Sequence, residues 1–207
     1  MYGHPGCRLY LIRHGETANS DRNCFNGHFD VDLSPKGVSQ MRQVANALAL
    51  KHLSAIYSSD LQRARKGAQI IGLSQGLEPQ VFTELRELSV GKWEGLSKEK
   101  INQQYPKEIE HWYDNIATAR VEGGETLQEL HNRVIPKMDE LVAKHTSSSI
   151  AVVCHGGVNR IVLSHILGIP WDRIHRIKQD FIAVNTIQFY SGTVVVERIN
   201  GSPLEID

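Results

Sequence analysis

The chain has 207 residues, 41% of them hydrophobic and 22% charged, which is enough apolar material for one sizeable core and unlike a disordered or fibrous protein. Its 23 lysines and arginines balance 23 aspartates and glutamates, so no general attraction to nucleic acid or to an anionic membrane is expected, and any anion site has to be local. The purely apolar runs are short, the first residues lack a basic segment followed by a long apolar one, and the three cysteines Cys7, Cys24 and Cys154 are widely spaced; a cytoplasmic protein without signal peptide, membrane span or disulfide framework is expected.

In chain order, the run Leu9-Tyr10-Leu11-Ile12 reads as a strand buried on both faces that ends in Arg13-His14-Gly15. After a polar loop, Ser34 is placed to cap a helix with Pro35 in its first turn, and Val38, Met41, Val44, Ala45 and Leu48 fall at helical spacing. Ala55 to Ser59 repeats the short apolar pattern, and Leu61, Ala64, Ala68 and Ile71 again follow at helical spacing. A short strand is predicted near Val81, a glycine-punctuated loop over "LRELSVGKWEGL", and polar helices from Lys98 to Asn115. A long amphipathic helix carries Leu127, Leu130, Val134, Met138 and Leu141. "SIAVVCHGGVNRIVLSHILGIP" then runs strand, glycine turn and helix, which Pro170 closes. Two β-rich runs around Ser191-Gly192, from Phe181 to Gly201, signal a hairpin. Alternating strands and helices with no linker or repeat predict one domain over 1–207: an α/β fold, a three-layer α/β/α sandwich with a mostly parallel central sheet.

In a parallel sheet the segments after Ile12, after Ser58 and after Cys154 end on one edge. Arg13, His14, Arg63 and His155 would meet there, a repulsive cluster unless an anion lies between them. A tetrahedral phosphate meets that need, because guanidinium forks match its oxygens. Of the other histidines, His4, His52, His111 and His145 read as solvated, and His28 lies near the same loop region. Trp93 reads as a packing residue. No zinc-type spacing occurs, and no metal or other cofactor is expected.

Four separated pieces, "LIRHGET", "YSSDLQRA", "ELRELSVGKWEG" and "VVCHGGVNR", in this order and spanning nearly the whole chain, resemble the histidine phosphatase superfamily, the phosphoglycerate-mutase-like proteins. The resemblance implies that His14 is a nucleophile forming a phosphohistidine, that Arg13, Arg63 and His155 hold the phosphoryl oxygens, and that Glu87 is the general acid. The chemistry agrees: a neutral imidazole attacks phosphorus, cations stabilise the equatorial oxygens, and a carboxyl group protonates the leaving alkoxide, a step worth about 100- to 10,000-fold. Many members carry an asparagine six residues after the nucleophile; that position is Ser20, with Asn19 beside it, so either can contact phosphate. Asn26, Gly27 and Gly156 complete the expected substrate-binding set.

A rival reading lies in the same sequence. Cys154 and Arg160 have the Cys-x5-Arg spacing by which cysteine-dependent phosphatases cradle phosphate. It leaves Arg13, His14 and Arg63 unexplained, and strand alternation sends Cys154 and His155 to opposite faces, so Cys154 is expected to be a core residue.

The resemblance also implies that cofactor-dependent mutases insert a longer, arginine-rich segment after the glutamate loop. Here the variable specificity segment, about 96–125, contains Arg120 as its one arginine, which favours a phosphatase over a phosphoglycerate mutase. The late segments look like bacterial α-ribazole-5′-phosphate phosphatases of cobalamin assembly. A small phosphomonoester of that kind is the leading expectation, a broad sugar-phosphate phosphatase the next, and a phospholigand-binding pseudoenzyme the non-catalytic alternative. The β-rich end could supply a homodimer edge.

Overall fold

A computed structural model describes residues 3–206. Strand β1 (Pro5–Arg13) leads into a loop holding β2 (Cys24–Phe25), followed by α1 (Pro35–Leu48), β3 (Leu53–Ser58) and α2 (Gln62–Gln75). Next come β4 (Gln80–Val81), β5 (Leu96–Ser97), α3 (Lys98–Gln104) and α4 (Pro106–Asp114). The long α5 (Leu127–Ala143), β6 (Ser149–Cys154), α6 (Gly156–Leu167), β7 (Val184–Tyr190) and β8 (Val194–Gly201) complete the set. The main sheet has the order β4-β3-β6-β1-β7-β8, with β4, β3, β6 and β1 mutually parallel and the β7–β8 hairpin antiparallel at one edge; β2 and β5 form a separate ribbon. This is the expected mostly parallel α/β/α arrangement.

The two faces follow from a period of two along the central strands. Leu9, Leu11, Val152 and Cys154 pack with α5 and α6, whereas Tyr10, Ile12, Ala151 and Val153 pack with α1 and α2. Register fixes the edge that matters: Arg13 pairs with Cys154, and Ser58 with Val153. The three strands therefore stop side by side, and the loops after them converge. Local signals hold α1 in place as read, since the Ser34 hydroxyl accepts the Gly37 N–H at 3.0 Å, a cap worth about 1 kcal/mol.

Some local expectations change. The 98–115 region holds helices as read, but they also bury Ile101, Ile109 and Trp112, and they are separated at Tyr105 because Pro106 lacks an N–H and takes a first-turn position. Helix α6 is closed by Gly168 in the left-handed region (φ 65°), two residues before Pro170, which instead opens a 3-10 turn over Trp171–Arg176. Phe181 lies outside the hairpin, whose first strand begins at Val184. His145 is half-buried, its ring bridging the Tyr57 hydroxyl at 2.7 Å and Ser54 at 3.1 Å, rather than solvated. No helix among the described residues is long and apolar enough to cross a membrane.

Candidate active site

A cavity of about 560 Å3 opens at the edge where β1, β3 and β6 end. Arg13, His14, Arg63, Glu87, Gly157 and Arg160 line its polar side. His14, the first residue after β1, is 5% exposed, and its Nδ1–H donates to the Gly15 carbonyl at 2.7 Å. Burial, then the Arg63 and Arg13 charges, pushes its pKa well below the usual imidazole value. The ring is thus neutral with its proton on Nδ1, which leaves the Nε2 lone pair for attack on an electrophile.

Each guanidinium is aimed by a backbone carbonyl. Arg13 donates from Nη1 to the Gln179 carbonyl at 2.6 Å, and its guanidinium carbon lies 4.2 Å from the centre of the Phe181 ring. Burial lowers its pKa to about 10, so it stays cationic at neutral pH. Arg63, at the start of α2 and 1% exposed, donates to the carbonyls of Gly27 at 2.6 Å and Phe29 at 2.9 Å. Gly27 can serve there because its φ of +48° suits glycine and because a Cβ would press on Glu94 and Val90. Arg160, on α6, donates from Nε to the Ile177 carbonyl at 2.8 Å.

The acid loop is held with equal care. Leu88 N–H donates to Glu87 Oε1 at 2.8 Å and Gly157 N–H to Oε2 at 3.0 Å. A side chain at Gly157 would collide with that carboxylate and displace it from its two N–H donors. Arg133 of α5 donates to the carbonyls of Glu84, Arg86 and Glu87 at 2.7, 2.7 and 2.9 Å and forms a two-pronged pair with Glu125 at 2.8 and 2.7 Å. His28 adds a further prop, its Nε2–H donating to the Glu87 carbonyl at 2.8 Å.

Several expected contacts are rearranged. Ser20 and Asn26 line the cavity, whereas Asn19 does not: it is 3% exposed and exchanges two amide hydrogen bonds with Asn26 at 2.7 and 3.1 Å. Between the two candidates, Ser20 is the one at the cavity wall and Asn19 holds Asn26 from behind. Gly157, not Gly156, forms the wall at the start of α6. His155 is fully buried and is not among the residues of the cavity wall; its ring centre is 5.2 Å from that of His14 and its Nε2 is bonded to the Ser59 hydroxyl at 2.7 Å. Its Nδ1 is buried without a protein partner. Burial, then the Arg63, His14 and Arg13 charges, holds its pKa well below the usual value as well.

The cysteine alternative fails on geometry. Cys154 is fully buried among the apolar residues under α5 and α6, its thiol donates to Asn159 Oδ1 at 2.9 Å, and burial raises its pKa far above neutrality. Arg160 is freed from that role and joins the other arginines. A second feature escaped the pattern of the sequence: Asn159, Gln179 and Asn185 exchange buried amide hydrogen bonds of 2.8 to 2.9 Å, and Asn185 also donates to the Leu11 carbonyl. This network ties α6, β7 and β1 to the residue whose carbonyl aims Arg13. Trp93 is 1% exposed and packs edge-on against Phe25 and Trp112, as its reading as a packing residue required.

Known proteins share this fold. Residues 9–202 match the histidine phosphatase superfamily (branch 1). The chain belongs to the histidine phosphatase superfamily. Among curated relatives, this histidine phosphatase is 28% identical over 193 residues to phosphoserine phosphatase 1 of Hydrogenobacter thermophilus, covering 93% of this chain and 92% of the relative. It is 35% identical over 155 residues to phosphoglycerate mutase-like protein 4 of Arabidopsis thaliana, covering 73% and 67%. A mycobacterial glucosyl-3-phosphoglycerate phosphatase in complex with VO3 superposes with a TM-score of 0.85 at 28% identity, covering 94% of this chain and 99% of that one. The α-ribazole phosphatase of Shigella flexneri shares the fold, with a TM-score of 0.85 at 23% identity over 94% and 96% of the two chains.

Proposed function

We propose that this histidine phosphatase is a phosphomonoesterase that works through a phosphohistidine on His14 and takes a small phosphometabolite without a metal ion. The observation that carries the reading is the neutral His14 ring, with its Nδ1 proton committed to Gly15, beside three arginines and Glu87. His14 Nε2 attacks phosphorus as the P–O bond to the alcohol breaks, and Glu87 delivers a proton to the departing alkoxide. Water then attacks the phosphohistidine, Glu87 takes its proton, and the N–P bond breaks to release phosphate. Arg13, Arg63 and Arg160 offset the negative charge on the phosphoryl oxygens and Ser20 and Asn26 offer polar donors. His155, whose ring is next to that of His14 and whose Nδ1 has no protein partner, is the further donor in this reading.

Hydrolysis rather than mutase chemistry is supported by Arg120, the one arginine of the variable segment. It donates to the Gly124 carbonyl and to Glu129 and is not part of the cavity wall, so it adds no cation for a second phosphate. Of specific substrates, α-ribazole 5′-phosphate is the one favoured by the "HGGVNRIVLSHILGIP" segment, and phosphoserine and glucosyl-3-phosphoglycerate come from the relatives' names.

The test is hydrolysis of p-nitrophenyl phosphate in EDTA by wild type and His14→Ala, with acid-labile phosphoprotein trapped in parallel. Wild type is expected to turn over and to trap phosphate, and His14→Ala to lose at least about a thousandfold in kcat. Activity that survives in His14→Ala, or a requirement for added metal, sinks the mechanism; a panel of phosphoserine, 3-phosphoglycerate and α-ribazole 5′-phosphate then ranks the substrates.

A further inference from the structure

The cavity is larger than the phosphoryl group needs, and its other side is built differently. Trp112 and Tyr113 stand at the end of α4, Ile116 follows them, and Ile174 and His175 come from the 3-10 turn after α6; all five line the cavity. The Trp112 and Tyr113 rings are 5.1 Å apart, and His175 lies 6.2 Å from the first and 6.0 Å from the second. Partial burial, then the Arg160 charge, lowers the His175 pKa, so this ring is neutral at pH 7. Three uncharged rings thus meet at an apolar floor, the composition of a site for a flat apolar group.

The charged side chains of the wall belong to the phosphoryl side. The lysine and arginine side chains in the wall are Arg13, Arg63 and Arg160, among the described residues. They face the phosphoryl group, which carries about −1.5 to −2 at pH 7, and Glu87, which holds a proton when it acts as the acid. The ring side of the wall carries no lysine or arginine among the described residues, so its contacts with a leaving group do not depend on charge. Lys98 does lie near, but over the Tyr113 ring at 5.1 Å and outside the cavity wall.

We propose that Trp112, Tyr113 and His175 form a leaving-group subsite for a phosphomonoester whose alcohol carries an uncharged aromatic group. The proposal rests on the phosphatase reading above and narrows its substrate class. The aromatic group stacks on the exposed rings of Tyr113 and His175 while the phosphoryl group lies against His14. Tyr113 and His175 are specificity-determining residues in this scheme, and Trp112 is the buried ring that backs them.

The experiment pairs kinetics with binding. Wild type, Tyr113→Ala and His175→Ala are compared on benzyl phosphate and 3-phosphoglycerate by kcat/KM, and on benzylphosphonate and 3-phosphonopropionate by calorimetric titration. Tyr113 is 38% exposed, so its truncation does not empty the core; circular dichroism checks the fold of both variants. Wild type is expected to prefer the aromatic partner of each pair by about tenfold or more, and each variant to narrow that ratio severalfold, chiefly through KM. Equal or reversed preference in wild type, or a ratio unmoved in both variants, overturns the subsite. Hydrolysis of both esters without preference overturns the subsite and leaves the phosphatase reading standing. Preferential, Tyr113-dependent binding of benzylphosphonate without any hydrolysis does the opposite, and failure to bind either phosphonate overturns both.

Discussion

The two sides of the cavity are held by different physics. On the phosphoryl side, Arg13, Arg63 and Arg160 each donate to a backbone carbonyl, and Glu87 accepts two backbone N–H groups. These are directional bonds to parts of the chain that cannot rotate away, so the charges wait in place for a ligand. On the aromatic side, ring contacts of 5 to 6 Å do the positioning and Tyr113 faces solvent. Dispersion contacts tolerate small shifts at little cost. Reaction geometry is therefore rigid where bonds break, and adaptable where the alcohol differs from one substrate to another.

That contrast can be broken from the phosphoryl side. After loss of the nucleophile, the largest effect is expected from Glu87→Gln: about 100- to 10,000-fold in kcat for alkyl phosphates, and much less for p-nitrophenyl phosphate, whose leaving group needs no proton. Equal losses on both esters would contradict a proton-donor role. Arg133→Ala comes next, because it removes the clamp on three carbonyls of the acid loop and takes the two-pronged guanidinium from Glu125, which keeps the Ser89 N–H. A stability loss of about 1.5–3 kcal/mol is expected, with kcat falling on alkyl phosphates and partly restored in Arg133→Lys. Urea melts and steady-state kinetics together check this, and an intact kcat would deny Arg133 its positioning role.

A smaller effect is expected from pH. His14 and His155 are kept neutral in the fold, so below about pH 6.5 the unfolded chain binds protons that the native state refuses. Stability falls as pH drops through that value, and inorganic phosphate, by bringing negative charge to the pair, opposes the fall. Thermal melts from pH 7.5 to 5 with and without phosphate measure it; identical slopes would show that phosphate binds elsewhere. The smallest effect belongs to Cys154→Ser, which keeps a donor for Asn159 and lies away from the cavity: kcat is expected to change by less than about twofold. A large loss would revive the thiolate mechanism.

Much of the phosphoryl side is legible in the order of residues alone. Arg13, His14, Arg63 and Glu87 lie at strand ends, helix starts or loops that short apolar runs and turn residues mark out, and four ordered motifs carry their chemistry. The supports are not legible in that way. Arg133 reads as one charged residue on an amphipathic helix, and nothing in its neighbourhood announces that it reaches the carbonyls of Glu84, Arg86 and Glu87. Asn159, Gln179 and Asn185 belong to three separate segments, so their shared network has no local signature. The choice between Ser20 and Asn19 likewise turns on an amide pair with Asn26 across a loop.

The sequence by itself determined the order of strands and helices, the parallel sheet, and the arrival of His14 with two arginines at one edge, because hydrophobic period and capping are properties of neighbouring residues. Only the tertiary structure decided which nitrogen of His14 is free, that His155 is fully buried with its ring centre 5.2 Å from that of His14, and that Trp112, Tyr113 and His175 meet. Those outcomes depend on hydrogen bonds and ring contacts between segments far apart in the chain, whose partners exist only after the layers have packed.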